Sequence, residues 1–220
     1  MPRTITVKGV GKASASPDYV TLSIVLESFN ENYDSAMDLA EAHIQELTAA
    51  LVGAGFEKEA LKTTNFNVRT EYNNEKDQNG NWKKVFSGYV VTHDLKLEFD
   101  FNMERLSQAI NAISSCAAHP QLSVAFTVKD PSGLKEEMLR NAAVNAKEKA
   151  EILCAASGVK LGTLLNIDYN WSEISVLSRT GYMLAEDNLR GAAPMKARSI
   201  DIQPEDINVS DTATFTWELS

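Results

Sequence analysis

Between residues 18 and 29 the chain alternates: Val20, Leu22, Ile24 and Leu26 are apolar, and most residues between them are polar or small. Period two marks a strand with one buried face. A shorter strand, Ile5 to Lys8, precedes it across the turn-forming Ser14-Ala15-Ser16-Pro17. The period then lengthens. Tyr33, Met37, Ala40, Ile44, Leu47 and Leu51 follow at steps of four and three, which stacks them on one side of a helix that Gly53 and Gly55 stop. Strand character returns over 63–72, followed by the polar stretch 73–81 with its Asn79-Gly80 turn dipeptide. This predicts a hairpin with a long exposed tip. Its returning strand carries Leu95, Leu97, Phe99 and Phe101 against Lys96, Glu98 and Asp100.

A second helix is predicted from Leu106, Ile110, Ile113 and Ala117, capped by Asn102 and closed before Pro120. Leu122, Val124, Phe126 and Val128 alternate as the next strand. The order over residues 18–129 is therefore β-α-β-β-α-β, which predicts an α+β fold. Its antiparallel or mixed sheet would be packed by helices, in the split-βαβ, ferredoxin-like manner. A long third helix should start at Asp130-Pro131, run to about Ser157 and stop at Gly158. Its inner stripe reads Leu134, Met138, Ala142, Ala146, Ala150 and Leu153, and so many alanines suit a close approach to a sheet or another helix. C-terminal strands are expected at Leu165, Ile167, Tyr169 and Trp171, and from Val209 to Leu219. Residues 173–206 carry no clean period and show exposed-looking Tyr182, Met183, Leu184 and Met195, which reads as a contact arm.

Composition changes this picture little. At 220 residues, 44% hydrophobic and 23% charged, the chain can bury a full core as a single domain, 1–220, with 1–129 and 130–220 as candidate sub-domains. Its formal net charge of -9 repels phosphate backbones, so no nucleic-acid partner is expected. No stretch reaches the roughly 20 apolar residues of a transmembrane helix. Met1 to Val7 runs straight into strand pattern without the apolar run of a secretory signal, which predicts a cytoplasmic protein. A trimmed start would instead place it in the periplasm or at the envelope. Cys116 and Cys154 lie in apolar helical stretches and read as buried free thiols.

Candidate chemistry is thin. Gly9-Val10-Gly11 follows a strand but opens no helix for a phosphate, so it reads as a turn or bulge, and no cofactor is expected. Cys116 and His119 have half of a zinc spacing; with only Cys154, His43 and His93 elsewhere, no metal site is expected. His93 shares the apolar parity of Val91 and Leu95 and would be a general base only if a nucleophile faced it. Asp18, Asp94, Glu136 and Glu137 have no spacing that pairs two of them on one buried face. Asp18 reads as a turn residue, and Glu136-Glu137 as favourable charge near a helix start. Among the aromatics Trp82, Tyr169, Trp171, Tyr182 and Trp217, Trp82 beside the hairpin tip is the best candidate for exposure and Trp217 for the core.

Several weak motifs occur in one order: Val7-Lys8-Gly9-Val10-Gly11, Pro17-Asp18, Gly55, Thr63-Thr64, Tyr72 and Gly88-Tyr89. Asp130-Pro131 through Ala142, Ala146, Lys149-Ala150, Leu153, Gly158 and Leu161-Gly162 follow, then Ile202-Gln203-Pro204 and Val209 to Leu219. In this the chain resembles the SIMPL domain family of bacteria. The resemblance implies an α+β fold, ring-like or channel-like homo-oligomers, and an association with the cell envelope and oxidative stress, with no catalytic residues to carry over. The expectation is a non-enzymatic, self-assembling protein whose contacts come from residues 173–206 and the helix 131–157. A small-molecule or peptide binding module, with its site between sheet and helices, is the alternative. A hydrolase around His93 is a weaker one.

Overall fold

A computed structural model describes residues 3–76, 81–170, 175–184 and 202–220. The elements are β1 (Thr4–Ala15), β2 (Tyr19–Asn30), α1 (Tyr33–Gly53), β3 (Leu61–Lys76), β4 (Trp82–Asp100), α2 (Met103–Ser114), β5 (Gln121–Thr127), α3 (Ser132–Ala156), β6 (Leu161–Asp168), β7 (Leu177–Leu184) and β8 (Ile207–Leu219). They form two compact units interleaved in sequence. The first comprises residues 1–18, 127–179 and 204–220; the second comprises 19–126 and 180–203.

The second unit holds the five-stranded sheet, in order β3-β4-β2-β5-β7. β4 lies between β2 and β3, and β2 between β4 and β5, so each strand–helix–strand segment straddles a strand of the other. This is the split arrangement the element order predicted. Val20, Leu22, Ile24 and Leu26 point to one face. They share a core with Leu47 and Leu51 of α1, Leu106, Ile110 and Ile113 of α2, and Leu122, Val124 and Phe126 of β5. Both helices therefore cover the same face. Each of these large side chains is worth about 1.5–3 kcal/mol when fully buried. Local signals set the helix starts: the Asn32 side chain accepts from the Ser35 N–H and that of Asn102 from the Arg105 N–H. Gly55, in the left-handed region, ends α1 (φ 89), whereas Ala54 rather than Gly53 occupies the cap.

Several boundaries differ from the sequence reading. Residues 73–76, expected in an exposed loop, extend β3 and pair with residues 82–85 of β4. The Asn79-Gly80 turn lies outside the described residues. Tyr33 of the α1 stripe is exposed, because the helix has only begun there, and Ala36 takes the buried place. Ala117 lies beyond the end of α2 and is exposed, with Ala109 buried instead. Leu177–Leu184, part of the expected contact arm, forms β7 beside β5, and Tyr182 packs against the core rather than standing exposed. The side chains of 183 and 184, and residues 185–201 with Met195, lie outside the described residues, as does Trp171.

In the first unit, β8 is the middle strand of the sheet β1-β8-β6, antiparallel to both neighbours. The β1–β8 register runs unbroken from Thr4↔Glu218 to Ala15↔Ile207. Gly9 and Gly11 sit inside this ladder, so the turn or bulge read there is corrected to regular strand. The reason lies in α3, which packs across β1. A Cβ on Gly9 would collide with the Ala142 carbonyl oxygen, and one on Gly11 with that of Met138. The alanine stripe and the two glycines are the two sides of one close helix-to-strand contact. The buried stripe of α3 ends at Cys154; Leu153, expected inside, is exposed. Steps of four advance the stripe about 40° per turn around the helix axis, and that drift carries position 153 off the buried side. The helix starts at Ser132, one residue later than expected, with Asp130 Oδ1 accepting from the Ser132 N–H at 3.0 Å. The exposed Asp130 carboxyl is lowered from its ordinary value by its hydrogen bonds to Ser132.

Candidate functional site

The residues singled out in the sequence do not converge. Asp18 Oδ1 accepts from the Lys129 N–H (2.8 Å), Asp94 Oδ2 from the Asn65 amide (3.0 Å), and Glu136 pairs with Arg140 (2.6 Å) one turn along α3. These three carboxylates each have a separate partner, and Glu137 is exposed on α3. Both thiols are free and buried. Burial, and then the nearby negative charge of Glu46, push the Cys116 thiol up to about 11, so at neutral pH it carries almost no thiolate. His119 shares only a backbone hydrogen bond with Cys116, from its N–H to the Cys116 carbonyl (3.2 Å). Among the described residues, no three His, Cys, Asp or Glu come together as metal ligands.

Two histidines do meet hydroxyls. His93 Nε2 lies 2.8 Å from Thr63 Oγ1, next to the register shift between Thr63 and Asn65, and the Phe66 and His93 rings meet edge to face. Desolvation lowers the His93 pKa and so favours the neutral ring, partly offset by the charge of Asp94. His43 Nδ1 lies 2.7 Å from Ser28 Oγ. Ser28 is only 2% exposed and continues the buried parity of Leu26, so this pair ties α1 to β2. Hydroxyl and imidazole in contact are two members of a nucleophile–base arrangement. The sequence reading missed His43, although four-residue spacing from Ala36, Ala40 and Leu47 brackets its side of the helix.

A cleft of about 250 Å³ opens on the face of the five-stranded sheet that the helices leave bare. It lies wholly within the second unit. Val25, Glu27 and Phe29 of β2, Arg69 and Glu71 of β3 and Val90 of β4 form its floor and sides, and the α2–β5 connection brings Ala118, His119 and Gln121 over its end. Alternation puts these strand residues on the outer face, because Leu26, Val68 and Val91 occupy the helix side. The Arg69 guanidinium stands 3.7 Å from Glu27 and 3.8 Å from Glu71, outside hydrogen-bond distance of both. His119 is left-handed (φ 47), the one described non-glycine residue in that region. Nothing in the sequence marks these residues, since they come from separate elements that only the sheet order brings together.

The first unit shows a different surface. β1 is an edge strand, and three α3 side chains spaced four residues apart close its outer edge. Asn141 donates to the Lys12 carbonyl (2.8 Å), Asn145 accepts from the Val10 N–H (3.1 Å) and Lys149 donates to the Lys8 carbonyl (3.3 Å). At the opposite edge no strand pairs with the outer side of β6 among the described residues. Leu164, Leu165 and Ile167 are exposed there, the last at 53%, and Ile152 (67%) and Leu153 are exposed on the last turns of α3. Trp217, as expected, is core: its ring stacks on Phe215 at 5.7 Å. Tyr169 donates to Asp211 at 2.9 Å, and Trp82 is exposed with Lys76 over its ring, as its place by the hairpin tip predicted.

A split β-α-β-β-α-β layer, joined in one chain to a second sheet backed by a long alanine-striped helix, defines an α+β protein of two interleaved units. The chain belongs to the SIMPL family, described as a protein of unknown function (DUF541), whose family model matches residues 5–217. It is similar to the 26 kDa periplasmic immunogenic protein of Brucella melitensis biotype 1, at 26% identity over 178 residues, 81% of this chain and 68% of that protein. The protein of the same description from Brucella abortus (strain S19) is 25% identical over the same span. No helix among the described residues is long and apolar enough to cross a membrane.

Proposed function

We propose that this protein is a non-catalytic, self-assembling member of its family, and that copies meet through the open edge of the three-stranded sheet. One observation carries this reading: of the two edges of that sheet, α3 side chains close the β1 edge, whereas the β6 edge has no partner strand among the described residues and is apolar. An unpaired strand presents a row of N–H and C=O groups that another chain can extend, and folded proteins generally blunt such edges with charge, bulges or cover. β6 carries two register shifts against β8, yet its large side chains are Leu164, Leu165 and Ile167. Covering them together with Ile152 and Leu153 gives association an apolar driving force. The relatives' description as periplasmic supports the periplasm as the place of work.

Light scattering on the purified chain tests this. The expected mass is a multiple of 24.2 kDa, and replacing Ile167 and Ile152 together by lysine should reduce it to the monomer with the circular dichroism unchanged. A wild-type chain that stays monomeric at tens of micromolar would refute the reading.

A further inference from the structure

We propose that the cleft on the bare face of the five-stranded sheet binds a small zwitterion, an α-amino acid with an apolar side chain. It goes beyond assembly, since the cleft lies in the other unit and uses none of the β6 or α3 residues. The charges come in a defined pattern: one guanidinium stands between two carboxylates at 3.7 and 3.8 Å, and none of the three is closed into a hydrogen bond with another. The guanidinium is ion-paired with each glutamate, but among the described residues neither it nor the Glu27 and Glu71 carboxylates make a side-chain hydrogen bond within the protein. A guanidinium offers five N–H donors in a fork that matches a carboxylate.

A ligand with only a carboxylate would meet Arg69 but be repelled by Glu27 and Glu71. One with only an ammonium group would meet the glutamates but be repelled by Arg69. A molecule carrying both groups a few ångströms apart satisfies all three, its carboxylate on Arg69 and its ammonium on the glutamates. The rest of the cleft fits the remainder of such a molecule. Phe29, Val25, Val90 and Ala118 supply apolar wall, while Gln121 and His119 add polar groups at the end. Its 250 Å³ lies below the roughly 300 Å³ at which sites for drug-sized ligands begin, which selects a ligand of amino-acid size. Val90 supports this geometry: it is 6% exposed although it lies on the face away from the helices, in register between Phe29 and Arg69 on the neighbouring strands.

Leucine, 3-methylbutylamine and 4-methylpentanoate share one apolar group and differ only in charge, and titrating each into ¹⁵N-labelled full-length protein tests the proposal. Leucine should shift the amides around Arg69, Glu27 and His119. Each single-charge analogue should bind roughly tenfold more weakly, the loss expected when one charge-assisted contact goes. Arg69→Met, on an exposed strand position, should keep the fold by circular dichroism and lose leucine binding. The proposal is overturned if leucine leaves these amides unmoved at millimolar concentration, if either analogue binds as well as leucine, or if the Arg69 variant binds leucine like the parent.

Discussion

At the scale of single residues, the position of His93 in its strand was readable, and its environment was not. Parity with Val91 and Leu95 places it on the helix side, as the structure shows. The hydrogen bond to Thr63 depends on a register shift between Thr63 and Asn65 that no sequence rhythm marks. The consequence is a pH dependence. Because desolvation lowers the pKa of His93 in the folded state despite Asp94, the unfolded chain binds more protons between that lowered value and the unfolded value near 6.5. Stability carried by this residue is therefore present above that window and lost as the pH falls through it. In urea unfolding at roughly pH 7.5 and roughly pH 5, the loss of stability on acidification should be smaller in His93→Gln than in the parent. An equal loss in both proteins would show that His93 is not the titrating group. Cys116 was legible from its apolar setting; its raised pKa comes from burial first and from Glu46 second, and that glutamate also accepts from the Ala117 N–H.

At the scale of elements, periodicity found the strands and helices that have one buried face, and it failed where burial is set by something other than period. β2 was read almost to the residue, since Val20 to Leu26 meet a single core, and α2 was placed from Leu106 to Ile113 but carried past its end at Ser114 to Ala117. β3 was under-read because residues 73–76 pair with β4 but touch no core, so their polarity looked like loop. β7 was missed for a related reason: an edge strand with Gly181 in its middle has little apolar rhythm to show. Gly9 and Gly11 were misread because a glycine needed for a neighbour's approach looks, in sequence, like a glycine needed for a turn. The contact they make with α3 gives a sharp expectation. Gly11→Ala would drive a methyl group into the Met138 backbone carbonyl, which no side-chain rotation relieves. It should cost about 3 kcal/mol, the upper end of ordinary overpacking, read as a lower urea midpoint at unchanged slope. Gly133→Ala is the control, because nothing lies within 4 Å of a Cβ there. If the two variants unfold alike, α3 does not approach β1 as closely as described.

For the whole molecule, the two units explain why the candidate site was less legible than the fold. The cleft takes residues from β2, β3, β4 and the α2–β5 connection, and the open edge takes them from α3 and β6. None of these is a motif, and each becomes a surface only once strand order is fixed. Net charge, by contrast, is a property of the sequence that acts on every copy alike. Chains carrying -9 each repel one another at long range, and that repulsion opposes whatever attraction the β6 edge supplies. Salt separates the two forces. Raising ionic strength from 0.1 to 1 M shortens the screening length from about 10 to about 3 Å and leaves apolar burial in place. If Leu164, Leu165, Ile167, Ile152 and Leu153 drive association, added sodium chloride should shift the light-scattering mass of a dilute solution upward, and the Ile167→Lys, Ile152→Lys variant should stay monomeric throughout. Dissociation on adding salt would mean that ion pairs, rather than this apolar edge, hold the copies together.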